Sequence, residues 1–269
     1  MQEIIKNNIN RVNLIRVNLN EANFKRSNLI GIALREADLK ESNFEGSNLL
    51  GANLEGANLQ RTNLREANLK WTNLKKANLE GAKLIEANLI NANLEGANLE
   101  EANFKEANLE EANLGGANLR EANLKWTNFS EANLRKANLD GANLEGTNFR
   151  GANLVGASLR GVNLEGADLN WAILCGVNFS KSYLSMTNFT GANLELADLT
   201  KVDLRYANLR WANFKGANLE GANFKGANLK DAYYLTIEQL SKVETLYDTK
   251  LNAELLNSLR KEHASLFKE

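Results

Sequence analysis

From Leu14 to Leu229 an apolar side chain recurs at every fifth position, without insertion or deletion, and each of the 44 centres is Leu or Phe. Two residues before each centre stands a small residue, usually Ala, as at Ala22, Ala52 and Ala117. The residue between them is Asn in 35 of the 44 units, so one polar group is written into the same place almost everywhere. Of the 19 glycines, 18 fall two residues after a centre, which marks that position as a bend.

A period of five suits neither regular element. In an α-helix five residues turn through about 500°, so successive leucines drift by about 140° and no apolar stripe forms. In an uninterrupted strand an odd period swaps faces at every unit. The chain must therefore be reset once per unit. The small residue and the Leu, two apart, point the same way from a short extended segment, and the Gly-rich and charged pair that follows supplies the bend. A chain that bends the same way every five residues coils, and stacked coils make a solenoid whose backbones pair at roughly 4.8 Å.

The units, as in Ala52-Asn53-Leu54-Glu55-Gly56, resemble those of the pentapeptide-repeat family, over about residues 10–232. The resemblance implies an all-β solenoid, a right-handed quadrilateral β-helix with four units per coil, hence about eleven coils and a rod roughly 53 Å long. Within it the Leu and Phe centres line a dry axis, and the Asn side chains bond neighbouring backbone and stack as ladders.

Three segments follow. Residues 1–9 are an N-terminal cap or irregular first coil, in which Ile4 and Ile9 keep the frame; 10–232 form the β-helix; 233–269 form a helical cap of two α-helices. Thr236-Ile237-Glu238-Gln239 reads as a capping box, with Ile237, Leu240, Val243 and Leu246 at helical spacing behind it. A second helix is expected from Asn252 to about Phe267, its apolar stripe being Leu255, Leu259 and Leu266. These helices cover the last coil, whose open strand edges would otherwise invite pairing; a homodimer contact through them is the alternative. Helical tails of this flavour are similar to those of cyanobacterial family members.

Composition removes several function classes. With 32 basic against 33 acidic residues the net charge is -1, which argues against a general DNA binder. One Cys and one His allow neither a disulfide framework nor a zinc cluster within the chain. No stretch approaches the roughly 18 apolar residues needed to span a bilayer, and the start lacks a signal-like apolar run, so a soluble cytoplasmic protein with no membrane partner is expected. No catalytic, cofactor-binding or metal site is assigned: Cys175 has no His among the repeats to activate it, and His263 lies in the tail. Thr62, Thr72, Thr127, Thr147 and Thr187 all occupy the inward small position, leaving no outward Thr ladder for ice.

Two surface features remain. Glu95, Glu100, Glu101, Glu106, Glu110 and Glu111 form the heart of an acidic belt around the rod's middle. Such a belt on a rod suits the alternative function that the family resemblance implies, a DNA-mimicking modulator of gyrase or topoisomerase of the quinolone-tolerance type; near-neutral overall charge and the lack of an inserted loop depart from it. A basic and aromatic mixture, Arg205, Tyr206, Arg210, Trp211, Lys215, Lys225 and Lys230, has the make-up of a single-strand grip, but interspersed acids weigh against direct nucleic-acid binding.

The second feature is where the repeat rule breaks. Six of the nine replacements of the usual Asn fall between Ser158 and Asp203, in the stretch that also carries unusual outward apolar residues. Twenty-residue columns place Trp171 and Trp211 on either side of Gly191, about 10 Å apart across a shallow notch, with Ile173, Cys175 and Leu196 beside them. Exposed aromatics of this kind belong to protein interfaces. The expected function is a non-enzymatic interaction or regulatory scaffold, with Trp171, Ile173, Leu196 and Trp211 as the surface for a protein partner.

Overall fold

The computed structural model describes residues 14–269; the cap expected at 1–9 and the first residues of the repeat region lie outside the described residues. From Asn18 paired with Asp38 to Asn213 paired with Tyr233, single parallel bridges join residues twenty apart. Four five-residue units therefore complete one coil, and each unit forms one wall of a four-sided rod.

One unit shows why the sequence closes this way. In Ala52–Gly56 the Ala52 N–H donates to the Leu49 carbonyl (2.9 Å) and closes the turn, while the Asn53 N–H reaches back to Ile32 O (2.9 Å). The Leu54 and Gly56 N–H groups reach forward to Asn73 O (2.7 Å) and Lys75 O (2.9 Å). That leaves the Glu55 N–H, and the Asn53 Oδ1 takes it at 3.2 Å. All five backbone donors are satisfied, as a half-buried backbone requires. The Asn73 Nδ2 then donates to the same Oδ1 (3.2 Å), so the amides also form a ladder along the wall. Asn128, Asn133 and Asn148 repeat that ladder bond at 3.0, 2.8 and 2.9 Å.

The bend takes a left-handed φ at every corner from Arg16 to Asp231, between +53° and +69°. Glycine meets this demand without a Cβ penalty, yet Trp71, Trp126, Trp171 and many Glu and Lys adopt it too. Inside, the Leu and Phe centres are buried along the rod, and Phe24 stacks on Phe44 with ring centroids 4.6 Å apart. Where Thr replaces the small Ala, its hydroxyl donates to a backbone carbonyl, of the preceding coil for Thr127 (Phe104 O, 2.9 Å) and Thr187 (Leu164 O, 2.9 Å) and of its own turn for Thr72 (Leu69 O), so the buried oxygen is not orphaned.

The C-terminal end departs from the helical reading. α1 (Ile237–Leu240) begins with the expected capping box but lasts one turn. Val243 and Leu246, expected on the same helix, are buried beyond it, because the chain returns to the coil: the Phe224 N–H donates to Thr245 O (3.2 Å) and the Leu229 N–H to Lys250 O (2.9 Å). Thr245–Thr249 imitates a repeat without its consensus. Thr245 Oγ1 takes the Tyr247 N–H (3.0 Å) as Asn would, Leu246 is the buried centre, Asp248 turns the corner at φ +55°, and Thr249 points inward. The exposed hydrogen-bonding edge of the last coil outweighs helical periodicity here. α2 (Ala253–Glu262) starts after Asn252 as expected but ends at His263, and Ala264–Phe267 forms a separate 3-10 turn. Leu259 is buried against the last coil, with Leu255 and Leu266 partly buried beside it, so α2 acts as a lid.

The walls are named by their centres: face I contains Leu54, face II Leu59, face III Leu64 and face IV Leu69, each continuing every twenty residues.

Candidate functional site

Trp171 and Trp211 project from the corner between faces IV and I, Ile173 stands in the Asn position of face I, and Leu196 projects from the corner between faces I and II. Trp171, Trp211, Ile173 and Leu196 are 60, 40, 40 and 67 % exposed, on one wall within the last coils. Cys175 lies on the same wall; burial and the Glu195 carboxylate push its thiol pKa up, which keeps it protonated and unreactive.

Ile173 has no acceptor for the local backbone donor, so the amide ladder of face I is interrupted between Asn153 and Asn193. Aspartates at other replaced positions keep the role: Asp168 Oδ1 accepts the Asn170 N–H (3.0 Å) and the Asn188 Nδ2 (3.0 Å). Ile173 is thus a change that gives up a structural bond for an exposed apolar surface.

The notch expected between the two indoles is filled. The Trp171 ring lies over Gly191, so close that a Cβ there would fall 2.6 Å from it. The same relation recurs where Trp126 covers Gly146, Leu196 covers Gly216 and Tyr206 covers Gly226. A left-handed corner residue leans toward the next coil, and a glycine twenty residues on lets it lie flat. The sequence carries this signal as a large apolar corner residue followed by Gly at plus twenty. Trp171 and Trp211 consequently make a ridge rather than two posts. Arg210 covers the second indole, its guanidinium carbon 4.3 Å from the ring centroid.

Sequence reasoning also passed over Tyr233 and Tyr234, which prolong this wall and are 54 and 65 % exposed. Tyr234 falls where the next inward centre is due, yet it adopts φ +58° and turns out. A tyrosine at a Leu or Phe position was the available signal.

The acidic belt is spread around the rod. Glu95 is on face I, Glu100 and Glu101 on face II and its corner, Glu106 at the corner after face III, and Glu110 and Glu111 on face IV and its corner. Half of the six are ion-paired: Glu95 with Lys75 (3.1 Å), Glu100 with Arg120 (2.9 Å) and Glu106 with Lys105 (3.1 Å). Of the basic groups near the C-terminal coils, Arg205 pairs with Asp203 (2.8 Å), Arg210 with Asp231 (3.2 Å), Lys215 with Glu195 (3.0 Å) and Lys225 with Glu269 (3.2 Å). Little unpaired positive charge is left to hold phosphates. Among the described residues no group of three or more His, Cys, Asp or Glu is arranged to hold a metal ion, and no helix is long and apolar enough to cross a membrane.

A family model described as pentapeptide repeats matches eight copies, from residues 8–39 to 192–231. Among solved structures, HetL, a pentapeptide repeat protein involved in heterocyst differentiation regulation from the cyanobacterium Nostoc sp. strain PCC 7120, is 33 % identical, with 82 % of this chain and 93 % of that one covered and a TM-score of 0.31. Trypsin-treated QnrB1, a plasmid-mediated fluoroquinolone resistance protein, is 22 % identical, with coverages of 73 % and 95 % and a TM-score of 0.50. Rfr23 from the cyanobacterium Cyanothece 51142 is 27 % identical, with coverages of 51 % and 89 % and a TM-score of 0.26. No curated protein matches the chain.

Proposed function

The chain belongs to the pentapeptide-repeat family, whose members form right-handed quadrilateral β-helices, and from that premise we propose that it is a non-enzymatic, cytoplasmic interaction or regulatory protein. Its rod of about eleven coils is a stiff support, and the C-terminal part of face I is the docking wall for a protein partner. The observation that carries this reading is the gathering of Trp171, Ile173, Leu196 and Trp211 on one wall of the last coils, at outward positions that most other units fill with polar or charged residues or glycine. Aromatic anchors on a rigid support lose little conformational entropy on binding, which is what makes such groups dominate interfaces. Tyr233 and Tyr234 extend the wall toward the lid.

Affinity capture from native cells, comparing the wild type with the Trp171→Ala, Trp211→Ala double variant, tests this. Both side chains are outside the core, so the variant keeps its melting curve and loses the partner; retention of every captured protein would remove the proposal. A gyrase supercoiling assay addresses topoisomerase modulation: no inhibition or drug protection at stoichiometric amounts is expected, since the belt is divided among all four walls and half neutralised.

A further inference from the structure

The outward turn of Tyr234 leaves its mark on the core. Every earlier coil has a Leu or Phe centre on face I, but in the last one that place goes unfilled by the due residue, and the chain runs on through Leu235 into α1. Between the end of the stack and α2 lies a cavity of about 320 Å³. Its walls include Leu229, Leu235, Ile237, Leu251 and Leu255, with Tyr234 at one side. Small-molecule sites are concave, apolar and carry a few placed polar groups, and volumes from about 300 Å³ are typical of them.

The polar part of the lining decides the chemistry. Asn252, Glu254 and Ser258 belong to it, and no Lys, Arg or His does. Asn252 is committed, its Oδ1 accepting the Asp231 N–H at 3.0 Å, and Asp231 itself is paired with Arg210. Glu254 makes no ion pair or side-chain hydrogen bond among the described residues, so the one charged group on the lining is a carboxylate, in company with five Leu and Ile side chains. We propose that this cavity binds a primary amine carried on a compact apolar body, the body against Leu235, Leu251 and Leu255 and the ammonium at Glu254. Tyr234 borders both this site and the face I wall, but the site does not depend on that wall having a partner.

The test uses the full chain with 13C-labelled leucine methyls and three probes: phenethylamine, its acidic counterpart phenylacetate, and ammonium chloride. Phenethylamine gives saturable shifts at the Leu235, Leu251 and Leu255 methyls, and binds about fivefold tighter than phenylacetate, the scale of one exposed ion pair. Glu254→Gln, an exposed change that leaves the fold intact, removes that preference. Leu255→Trp, which fills the cavity, removes the shifts. Absence of saturable shifts, equal affinity for amine and acid, a preference that survives Glu254→Gln, or shifts with ammonium alone would each overturn the proposal.

Discussion

The indole of Trp171 lies against the α-carbon of Gly191, one coil further along the same corner, leaving no room for a methyl group. Each residue supports the other's conformation: the glycine gives the ring a flat bed, and the ring covers a corner that would otherwise be bare backbone. Gly161 provides the control, with φ +65° and nothing within 4 Å of a built Cβ. Gly161→Ala meets only left-handed strain, about 1–2 kcal/mol. Gly191→Ala meets the same strain and also lifts the indole. In a background with Trp71, Trp126 and Trp211 replaced by Phe, Gly191→Ala shifts the emission of Trp171 to longer wavelength and Gly161→Ala does not; identical spectra would show that the ring does not rest there in solution.

Ile173 and the asparagine ladder give opposite expectations for stability and binding. Asn118→Ala deletes an Oδ1 that takes the Arg120 N–H (3.3 Å) and an Nδ2 that donates to Asn98 (3.1 Å), and costs about 1–2 kcal/mol by denaturant unfolding. Ile173→Asn completes the face I ladder and gains about 1 kcal/mol. The same substitution removes an apolar group from the wall, so captured partner falls as the unfolding midpoint rises. A variant that is stabilised and binds as before would exclude Ile173 from the interface.

Near Val162 the coils are held less tightly. Val162, Ser182 and Val202 occupy successive inward small positions of one column, and Phe179 meets Phe189 edge-on across the lumen at 6.1 Å. Ser182 Oγ takes the Val162 N–H (3.1 Å) and itself donates to Leu159 O (2.7 Å), standing in for the usual turn bond. The intercoil bonds of Asn163 and Asn178 lengthen to 3.4 Å, against 2.9 Å for Asn153. Bulk where alanine normally sits widens the coil. Hydrogen exchange is expected to be faster at the Asn163 and Asn178 amides than at Asn153, and Val162→Ala slows it; uniform protection along the rod would contradict this.

Asp140 links two coils and sets an acid dependence. Burial pushes its carboxyl up, but hydrogen bonds from the Arg160 guanidinium, the Ser158 hydroxyl and the Arg160 N–H outweigh burial, and its pKa lies below the ordinary aspartate value. The Arg160 Nε stands 2.9 Å away. A pKa lower in the folded state gives a contribution fully present above the unfolded value, about 3.9, and lost as pH falls through the folded one. Asp140→Asn therefore melts lower than wild type at neutral pH, and the gap narrows below about pH 4. A gap that does not change with pH would assign the effect to packing alone.

The five-residue period pointed to the solenoid, the dry axis and the amide ladders, because one local rule repeated 44 times must bury its centres and find partners for its backbone donors in the same way at nearly every unit. The family resemblance added four units per coil, and counting in twenties then brought Trp171, Ile173, Leu196 and Trp211 to one wall, a register that the bridges between residues twenty apart bear out. What counting could not supply is the direction in which a corner side chain leans, so the filled notch over Gly191 and the ridge it creates emerged only from the left-handed geometry. The end of the rod was decided in the same way. Helical spacing from Ile237 to Leu246 is a local preference, whereas the open edge at Phe224 and Leu229 is a row of backbone groups that must find partners; the chain spends one turn on α1 and then returns to pair with them.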